Sequence, residues 1–285
     1  MDWMLYTLFY GVIKGAREIV KKKALGKSTV FEVLFFYTLF GFLFLLPTIP
    51  TVGGMTGIKY LLTALKAFCI FIAWICSFKA IEKIPVSVYG VLDLSRVLFA
   101  TLLGVAVLHE VMKWTQVAGL MIVAAGLMLL KAGSKKRNEN TSPLYVVMAL
   151  ISCVLNAVSG LMDKILTNDG SAIGMTSSQL QFWYMFFLTV FYALYFVLSR
   201  TKADVKGALK NHWIWILSIM FILADRALFM ANEIPDSRVT VMTLIKQSGC
   251  IVTILGGRFV FKEKNTLHKL ICAGIVIVGI VIGVI

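Results

Sequence analysis

The chain has 285 residues, of which 59% are hydrophobic and 15% are charged, and its mean hydropathy is +0.88. Soluble domains contain about 45–50% apolar residues, so this composition excludes a soluble enzyme or binding module and predicts an integral membrane protein. The net charge of +14 would suggest nucleic acid as the partner of a soluble protein. Here the basic residues lie between apolar segments, so we expect a lipid bilayer and no nucleic acid as partner.

Apolar segments of about 20 residues, the length that crosses a bilayer, recur ten times. They predict an all-α integral membrane protein with ten transmembrane helices, at residues 2–20, 31–49, 60–80, 85–108, 114–131, 144–163, 177–198, 213–232, 239–261 and 267–285. The connections are too short to fold into a separate catalytic domain.

The basic residues of the connections are distributed unequally. Connections after odd-numbered segments hold 17 Lys and Arg residues, whereas those after even-numbered segments hold four. Because cytoplasmic loops carry an excess of Lys and Arg, we expect the odd-numbered connections in the cytoplasm and both termini outside. A basic cluster follows the first apolar segment, the reverse of a cleavable signal, so we expect a multi-pass protein of the plasma membrane that retains this segment.

The most polar stretch of the chain covers residues 131–143 and separates five apolar segments from five. We assign a first repeat to residues 1–131, a linker to 132–143 and a second repeat to 144–285. An odd number of spans per half makes the second half start from the opposite face of the membrane. The sequence therefore predicts two inverted five-helix repeats.

Residues 86–110 and 239–263 align without a gap and agree at 7 of 25 positions. The identical pairs that are not apolar side chains are Ser95/Ser248, Gly104/Gly257 and Glu110/Glu263. Inverted repeats are typical of secondary transporters, whose substrate site lies between the halves near the membrane midplane. The same alignment places Asp93 opposite Lys246, so one register position carries opposite charges in the two copies.

The ends and faces of several spans have structural interpretations. Pro85 and Pro235 precede spans four and nine, where a proline begins a helix without losing a hydrogen bond. Glu110 and Glu263 end the same spans and are predicted to be interfacial. Spans five and ten are rich in glycine, at Gly119, Gly126, Gly274, Gly279 and Gly283. Small residues allow close helix packing, either within the chain or in a homodimer through these spans.

These motifs resemble the drug/metabolite transporter superfamily, in its EamA-type branch of two tandem five-span repeats. The resemblance rests on IPVSVYGVLDLSRVLFATLLGVAVLHE followed by VAGLMIVAAGLMLL, and on IPDSRVTVMTLIKQSGCIVTILGGRFVFKE followed by CAGIVIVGIVIG. It implies a ten-helix bundle with a central cavity lined by the first four spans of each half. It also implies cytoplasmic termini, in disagreement with the distribution of basic residues.

Charged residues inside the predicted spans fall into two groups. Lys14, Arg17 and Arg258 lie near span ends, where we expect them to snorkel to the interface. Six others lie deeper, at Lys66, Asp93, Arg96, Asp225, Arg226 and Lys246. Each lipid-facing charge costs about 2.5–3.5 kcal/mol, so these side chains are expected to face each other or a wet cavity. Asp93 and Arg96, three residues apart, are predicted to be able to pair.

The deep cations Lys66, Arg96, Arg226 and Lys246 outnumber the deep anions Asp93 and Asp225, which suits a carboxylate, a phosphate or a zwitterion. We assign the cations to substrate binding and the anions to coupling or charge pairing. Further substrate-binding candidates are Trp74, Tyr89 and Gln247, with Gln181 and Trp183 as weaker ones. The alternative is that the charges pair only to hold the bundle together.

We therefore expect a secondary-active transporter that moves a small anionic or zwitterionic organic metabolite by alternating access. The alternatives are a drug/metabolite efflux pump or sugar permease of broader specificity, and a non-transporting membrane scaffold. The sequence holds no Walker-type phosphate loop, no deep histidine for hydrolysis and no Cys or His spacing typical of a metal site. We predict no enzyme, no cofactor and no metal.

Overall fold

The computed structural model describes residues 2–108, 114–136, 142–167, 174–198, 204–233 and 245–284, in which all regular structure is helical. The α-helices are α1 (Asp2–Leu25), α2 (Val30–Leu45), α3 (Gly57–Lys83), α4 (Val86–Asp93), α5 (Arg96–Leu108), α6 (Trp114–Lys136), α7 (Pro143–Leu166), α8 (Ser177–Leu198), α9 (Val205–Lys210), α10 (His212–Glu233), α11 (Ser248–Phe261) and α12 (Thr266–Val284). A 3-10 helix, Leu46–Thr51, extends α2. The predicted all-α class is confirmed for these residues.

Local sequence explains several helix ends. Thr29 and Glu32 form a capping box at the start of α2, in which each side chain satisfies a backbone N–H group of the first turn. Pro85 precedes α4, and Pro143 is the first residue of α7, positions that proline tolerates because the N–H groups there have no acceptor inside the helix. Pro235 lies outside the described residues. α6 continues to Lys136, inside the segment assigned to a linker.

Five described helices are long and apolar enough to cross a membrane, at Val30–Thr51, Gly57–Lys83, Pro143–Asp163, Ser177–Leu198 and Thr266–Gly283. Two shorter apolar helices cover Val117–Leu130 and Ser248–Phe261. These segments make the chain a multi-pass membrane protein. They correspond to spans two, three, six, seven and ten of the prediction. α1 and α10 are as long, but charged residues interrupt their apolar surface.

The predicted span 85–108 contains two helices, α4 and α5, which a turn at Leu94–Ser95 separates. There Ser95 N donates to Leu92 O at 2.9 Å, a tighter bond than that of an α-helix. A similar turn at Gln247 separates helical residues 245–246 from α11, and Cys250 N donates to Gln247 O at 2.9 Å. Asp and Ser are weak helix formers, but neither break contains the Gly or Pro that usually announces one.

Helices from the first and second halves of the chain interleave. α1 packs against α10 and α11, and α7 packs against α3 and α5. α2 contacts α8, and α6 contacts α12. Each half therefore surrounds its charged residues with helices from the other half.

The most extensive helix pair, α6 with α12, packs through glycine. Gly119 lies against the backbone of Gly279 and Gly283, and Gly126 lies against Val276 and the Cys272 carbonyl. These faces are therefore occupied within the chain. A homodimer remains a prediction, and it would have to use the outer faces of these helices.

Candidate functional site

Besides the buried Glu18, Lys21, Glu32 and Lys269, nine charged side chains from α1, α3, α4, α5, α7, α10 and helical residues 245–246 lie inside the bundle. They are Lys14, Arg17, Lys66, Asp93, Arg96, Asp163, Asp225, Arg226 and Lys246. Three ion pairs connect six of them. Lys14 Nζ lies 2.5 Å from Asp93 Oδ2, Arg17 Nη1 lies 4.0 Å from Asp225 Oδ1, and Lys66 Nζ lies 3.1 Å from Asp163 Oδ1. We call these nine residues the interior charge cluster.

The expectation that Lys14 and Arg17 snorkel to the interface is wrong. Their side chains are only 15% and 12% exposed, and each reaches a carboxylate on another helix. Gly11 and Gly15, which have the small-xxx-small spacing of close helix pairs, bring α1 against the backbone of residues 245–249. This close approach keeps the cationic side chains of α1 inside the bundle.

The expected pairing of Asp93 with Arg96 is absent from the described residues. Asp93 pairs with Lys14, and Arg96 Nη2 donates to the Asn156 carbonyl on α7 at 3.2 Å. The three-residue spacing brings two side chains together only on a continuous helix. Because the break at Leu94–Ser95 lies between these residues, Asp93 faces α1 and Arg96 faces α7.

Asp93 and Lys246, the residues that the alignment places opposite each other, line one internal cavity. Lys14, Tyr89 and Gln247 line it as well. The cavity has a volume of about 10 Å³, which holds about one water molecule. In this conformation the space between Asp93 and Lys246 is therefore too small for an organic metabolite.

Lys246 differs from the other cations of the cluster. Among the described residues its ammonium group has no hydrogen-bond or ion-pair partner, although the charges of Arg96, Lys14, Asp163 and Asp225 act on it. Lys14, which is also a cation, lines the same small cavity. Lys246 therefore lies in a cationic part of the interior.

Lys66 is bound from three directions. Besides Asp163, its ammonium donates to Ser159 Oγ at 3.0 Å and lies 4.2 Å from the centre of the Tyr184 ring. Asp163 was missed by the sequence analysis, because it ends a predicted span and reads as interfacial. Its one signal is that Asn156, Ser159 and Asp163 recur at helical spacing within an otherwise apolar segment.

Arg226 has a neutral partner. Its Nη1 donates to Ser178 Oγ on α8 at 2.8 Å. Gln181 follows Ser178 by one turn and is 1% exposed. Within the described ranges, neither its amide oxygen nor its amide nitrogen forms a hydrogen bond. A buried polar group without a partner costs about 1–3 kcal/mol, which makes Gln181 a candidate for hydrogen bonding to a ligand.

α8 and α10 both pack against α2, where the side chains of Met185 and Ile222 lie closest to Gly41. The hydrogen bond from Arg226 to Ser178 joins α10 to α8 one turn from Gln181. From the sequence, Gln181 is only a weaker candidate.

The aromatic candidates have structural roles in this conformation. Trp74 packs against Tyr37 and Phe221, with ring centroids 5.1 and 5.3 Å apart. The Trp183 indole donates to the Val52 carbonyl at 3.0 Å. Tyr89 lines the small cavity, but its hydroxyl shares a hydrogen bond of 2.7 Å with Ser77.

One end of the site is closed by hydrogen bonds. Glu263 accepts from Val86 N at 2.6 Å, from Ser87 N at 3.1 Å and from Ser87 Oγ. Its carboxylate thus caps the first turn of α4 and is 10% exposed, which makes it a helix cap rather than a simple interfacial residue. Glu110, its counterpart in the first copy, lies outside the described residues.

The charge balance of the cluster is cationic. Six cations face three carboxylates, and all three carboxylates belong to ion pairs. Arg96, Arg226 and Lys246 have no carboxylate partner among the described residues. No three His, Cys, Asp or Glu side chains in those residues come together as metal ligands would.

Comparisons with known proteins show what the chain is similar to. A crystal structure of a protein matches with a TM-score of 0.62 over 96% of this chain and 97% of that chain, at 12% identity, so the two share a fold. No curated protein matches the sequence significantly. The model of the EamA-like transporter family matches residues 1–132, where the sequence analysis placed the first repeat. This match covers just under half of the chain, and it agrees with the resemblance to the drug/metabolite transporter superfamily that the sequence motifs indicate.

Proposed function

We propose that this chain is a ten-span, secondary-active transporter that moves a small anionic or zwitterionic organic metabolite by alternating access. Its halves, residues 1–131 and 144–285, are inverted five-helix repeats in the plasma membrane, with odd-numbered connections in the cytoplasm. The main observation in favour of an anionic or zwitterionic substrate is the surplus of three cations in the interior charge cluster.

The helix contacts support the inverted repeat. α1, the first span of its half, packs against the third and fourth spans of the other half, α10 and α11. α7, the first span of the second half, packs in turn against α3 and the α4–α5 span. This exchange of partners is what a twofold axis in the membrane plane would produce.

The surplus cations support an anionic group on the substrate. An unpaired charge in a low-dielectric interior is unfavourable, and a carboxylate or phosphate offsets that cost by pairing with it. Arg96 and Arg226 bind neutral oxygen atoms in this conformation, and a guanidinium forms stronger, bidentate contacts with an anion. Asp93 and Asp225 already pair with α1, which suits the coupling role assigned to them.

The broken helices support alternating access. Substrate sites of secondary transporters lie beside discontinuous helices at the midplane, and Asp93 and Lys246 each precede such a break. Because the cavity between them holds about one water molecule, substrate entry requires α4 or the start of α11 to move. The hydrogen bonds of Glu263 hold α4 closed at one end.

The proposal is tested by a thermal-shift screen of the purified protein against organic acids, sugar phosphates, amino acids, lipophilic cations and neutral sugars. A ligand that binds only the native state raises the melting temperature. We expect stabilisation by anions or zwitterions, and its loss in Lys246→Ala and Arg226→Ala proteins that remain folded and monodisperse. Lys206→Ala, which removes an exposed cation from α9, is the matched control.

Two results would count against the proposal. Stabilisation by cations or neutral sugars alone would exclude an anionic substrate and favour an efflux pump or sugar permease. Unfolding of both the Lys246→Ala and Arg226→Ala proteins would mean that the charges hold the bundle together, as in a membrane scaffold. Uptake of the identified ligand into proteoliposomes then separates transport from binding.

A further inference from the structure

A second cavity lies at the surface, and none of its lining residues belongs to the interior charge cluster. It is an open groove of about 610 Å³ between the end of α11 and the start of α12. Its walls include Arg258, Lys264, His268, Leu267 and Ile271. The volume is within the range of about 300–1,000 Å³ that is usual for ligand sites.

Arg258 is the most informative residue of this groove. It is exposed on α11 one turn before the helix ends, next to Phe259, which is 75% exposed. None of the described carboxylates pairs with Arg258. A cation at this depth facing lipid is costly unless it reaches an anionic partner, and the phosphate of a lipid headgroup is available at that level.

The rest of the groove is also favourable for an anion. Lys264 is exposed on the connecting turn. The 19-residue helix α12 begins at the groove, so the partial positive charge of its first N–H groups lies there. Glu263 contributes the one carboxylate of the lining, but it is engaged by the first turn of α4 and lies 3.8 Å from Lys269. The anion-binding groups therefore outnumber this occupied carboxylate.

Apolar side chains continue from the groove along the membrane-facing surface. Leu267 is 71% exposed, Ile271 is 51% exposed and Leu255 is 38% exposed. A soluble phosphate would leave these side chains without a partner, whereas an acyl chain would cover them. This combination of basic headgroup contacts and apolar flanks is typical of sites for anionic lipids.

We propose that the groove between α11 and α12 binds the headgroup of an anionic phospholipid, with Arg258 and Lys264 on the phosphate and the acyl chains along Leu267 and Ile271. The site is independent of the proposed transport substrate. Because Glu263 belongs to both the groove and the α4 cap, an occupied groove also stabilises the start of α4.

The test measures the melting temperature of the detergent-purified protein with phosphatidylglycerol, phosphatidylcholine or glycerol 3-phosphate added. We expect phosphatidylglycerol to stabilise the protein more than phosphatidylcholine. The Arg258→Gln/Lys264→Gln variant should lose about tenfold or more in apparent affinity for phosphatidylglycerol, since it loses charge-assisted hydrogen bonds. Lys206→Gln/Lys210→Gln, which removes two exposed cations from α9, should bind as the wild type does.

Three results would overturn the lipid site. Equal stabilisation by the two lipids would exclude recognition of the charge, and full stabilisation by glycerol 3-phosphate would indicate a site for a soluble anion. Unchanged phosphatidylglycerol binding by the double variant would exclude this groove. Should the double variant fail to fold, native mass spectrometry of Lys264→Gln alone should still show fewer retained phosphatidylglycerol molecules than the wild type, and an equal number would contradict the proposal.

Discussion

The two broken helices have the same backbone feature but opposite charge environments. α4 ends at Asp93, whose carboxylate pairs with Lys14 at 2.5 Å. The turn before α11 follows Lys246, whose ammonium has no ion-pair partner among the described residues. In the proposed duplication, both copies share the turn and differ in the charge that precedes it. We expect the turn to allow helix movement in both halves. We expect the unpaired lysine to bind the ligand, in the second half only.

The largest expected effect on stability follows from removing the charge of Asp93, which pairs with Lys14. Asp93→Asn leaves the Lys14 ammonium buried beside a neutral amide, and breaking a buried ion pair costs about 3–5 kcal/mol. We expect the free energy of unfolding to fall by about this amount in denaturant titrations. Glu82→Gln, which breaks an exposed ion pair of 3.0 Å with Lys83, should cause no measurable change. An equal effect of both variants would mean that the Asp93 pair does not stabilise the bundle.

Removing the unpaired charge of Lys246 should change the stability in the opposite direction. Lys246→Met replaces a buried ammonium by an apolar side chain of similar length, so the free energy of unfolding of the ligand-free protein should rise by about 2 kcal/mol. Lys66→Met is the contrasting variant, because it removes the partner of Asp163 and should destabilise the protein. A loss of stability in Lys246→Met comparable with that in Lys66→Met would contradict an unpaired Lys246.

Gln181 offers a smaller test of the same distinction between satisfied and unsatisfied groups. Gln181→Leu removes an amide that forms no hydrogen bond with the part of the chain that the structure describes, so the free energy of unfolding of the ligand-free protein should rise by about 1 kcal/mol. Affinity for the ligand found in the thermal-shift screen should fall about tenfold, the equivalent of one lost hydrogen bond. Unchanged affinity, measured by calorimetry, would remove Gln181 from the site.

The smallest effect should be the same in both halves. Ser95 and Ser248 occupy matched positions at the two breaks, and neither buried hydroxyl forms a hydrogen bond of standard geometry with the described residues. Ser95→Ala and Ser248→Ala should each raise the free energy of unfolding by up to about 1 kcal/mol. Calorimetric melting of the two variants checks the equality. A large difference between them would mean that the breaks are not equivalent.

Sequence reasoning worked where one physical effect dominates. Long apolar runs predicted helices because backbone groups in a membrane must be satisfied within the segment. The alignment also brought Asp93 and Lys246 together, and both line one cavity. Sequence reasoning failed where the outcome depends on another helix. The partners of Lys14 and Arg17 are about 80 and 200 residues away in the chain, and no local pattern encodes that distance.

The breaks and the candidate site show the same limit. The turn at Leu94–Ser95 contains no Gly or Pro, so Asp93 and Arg96 read as neighbours on one helical face. Gln181 and Asp163 read as ordinary polar residues near span ends. Their significance comes from burial and from the facing side chains, which are fixed only when both halves pack together.

The cap on α4 has a consequence for how the protein is made. The carboxylate of Glu263 follows Val86 by 177 residues in the chain. At roughly 5–20 residues per second, the ribosome therefore needs roughly 10–35 s to supply this cap after α4 has emerged. During biogenesis, water or lipid headgroups have to accept the hydrogen bonds of the first N–H groups of α4. The first half therefore reaches its final form only after nearly the whole polypeptide has been synthesised.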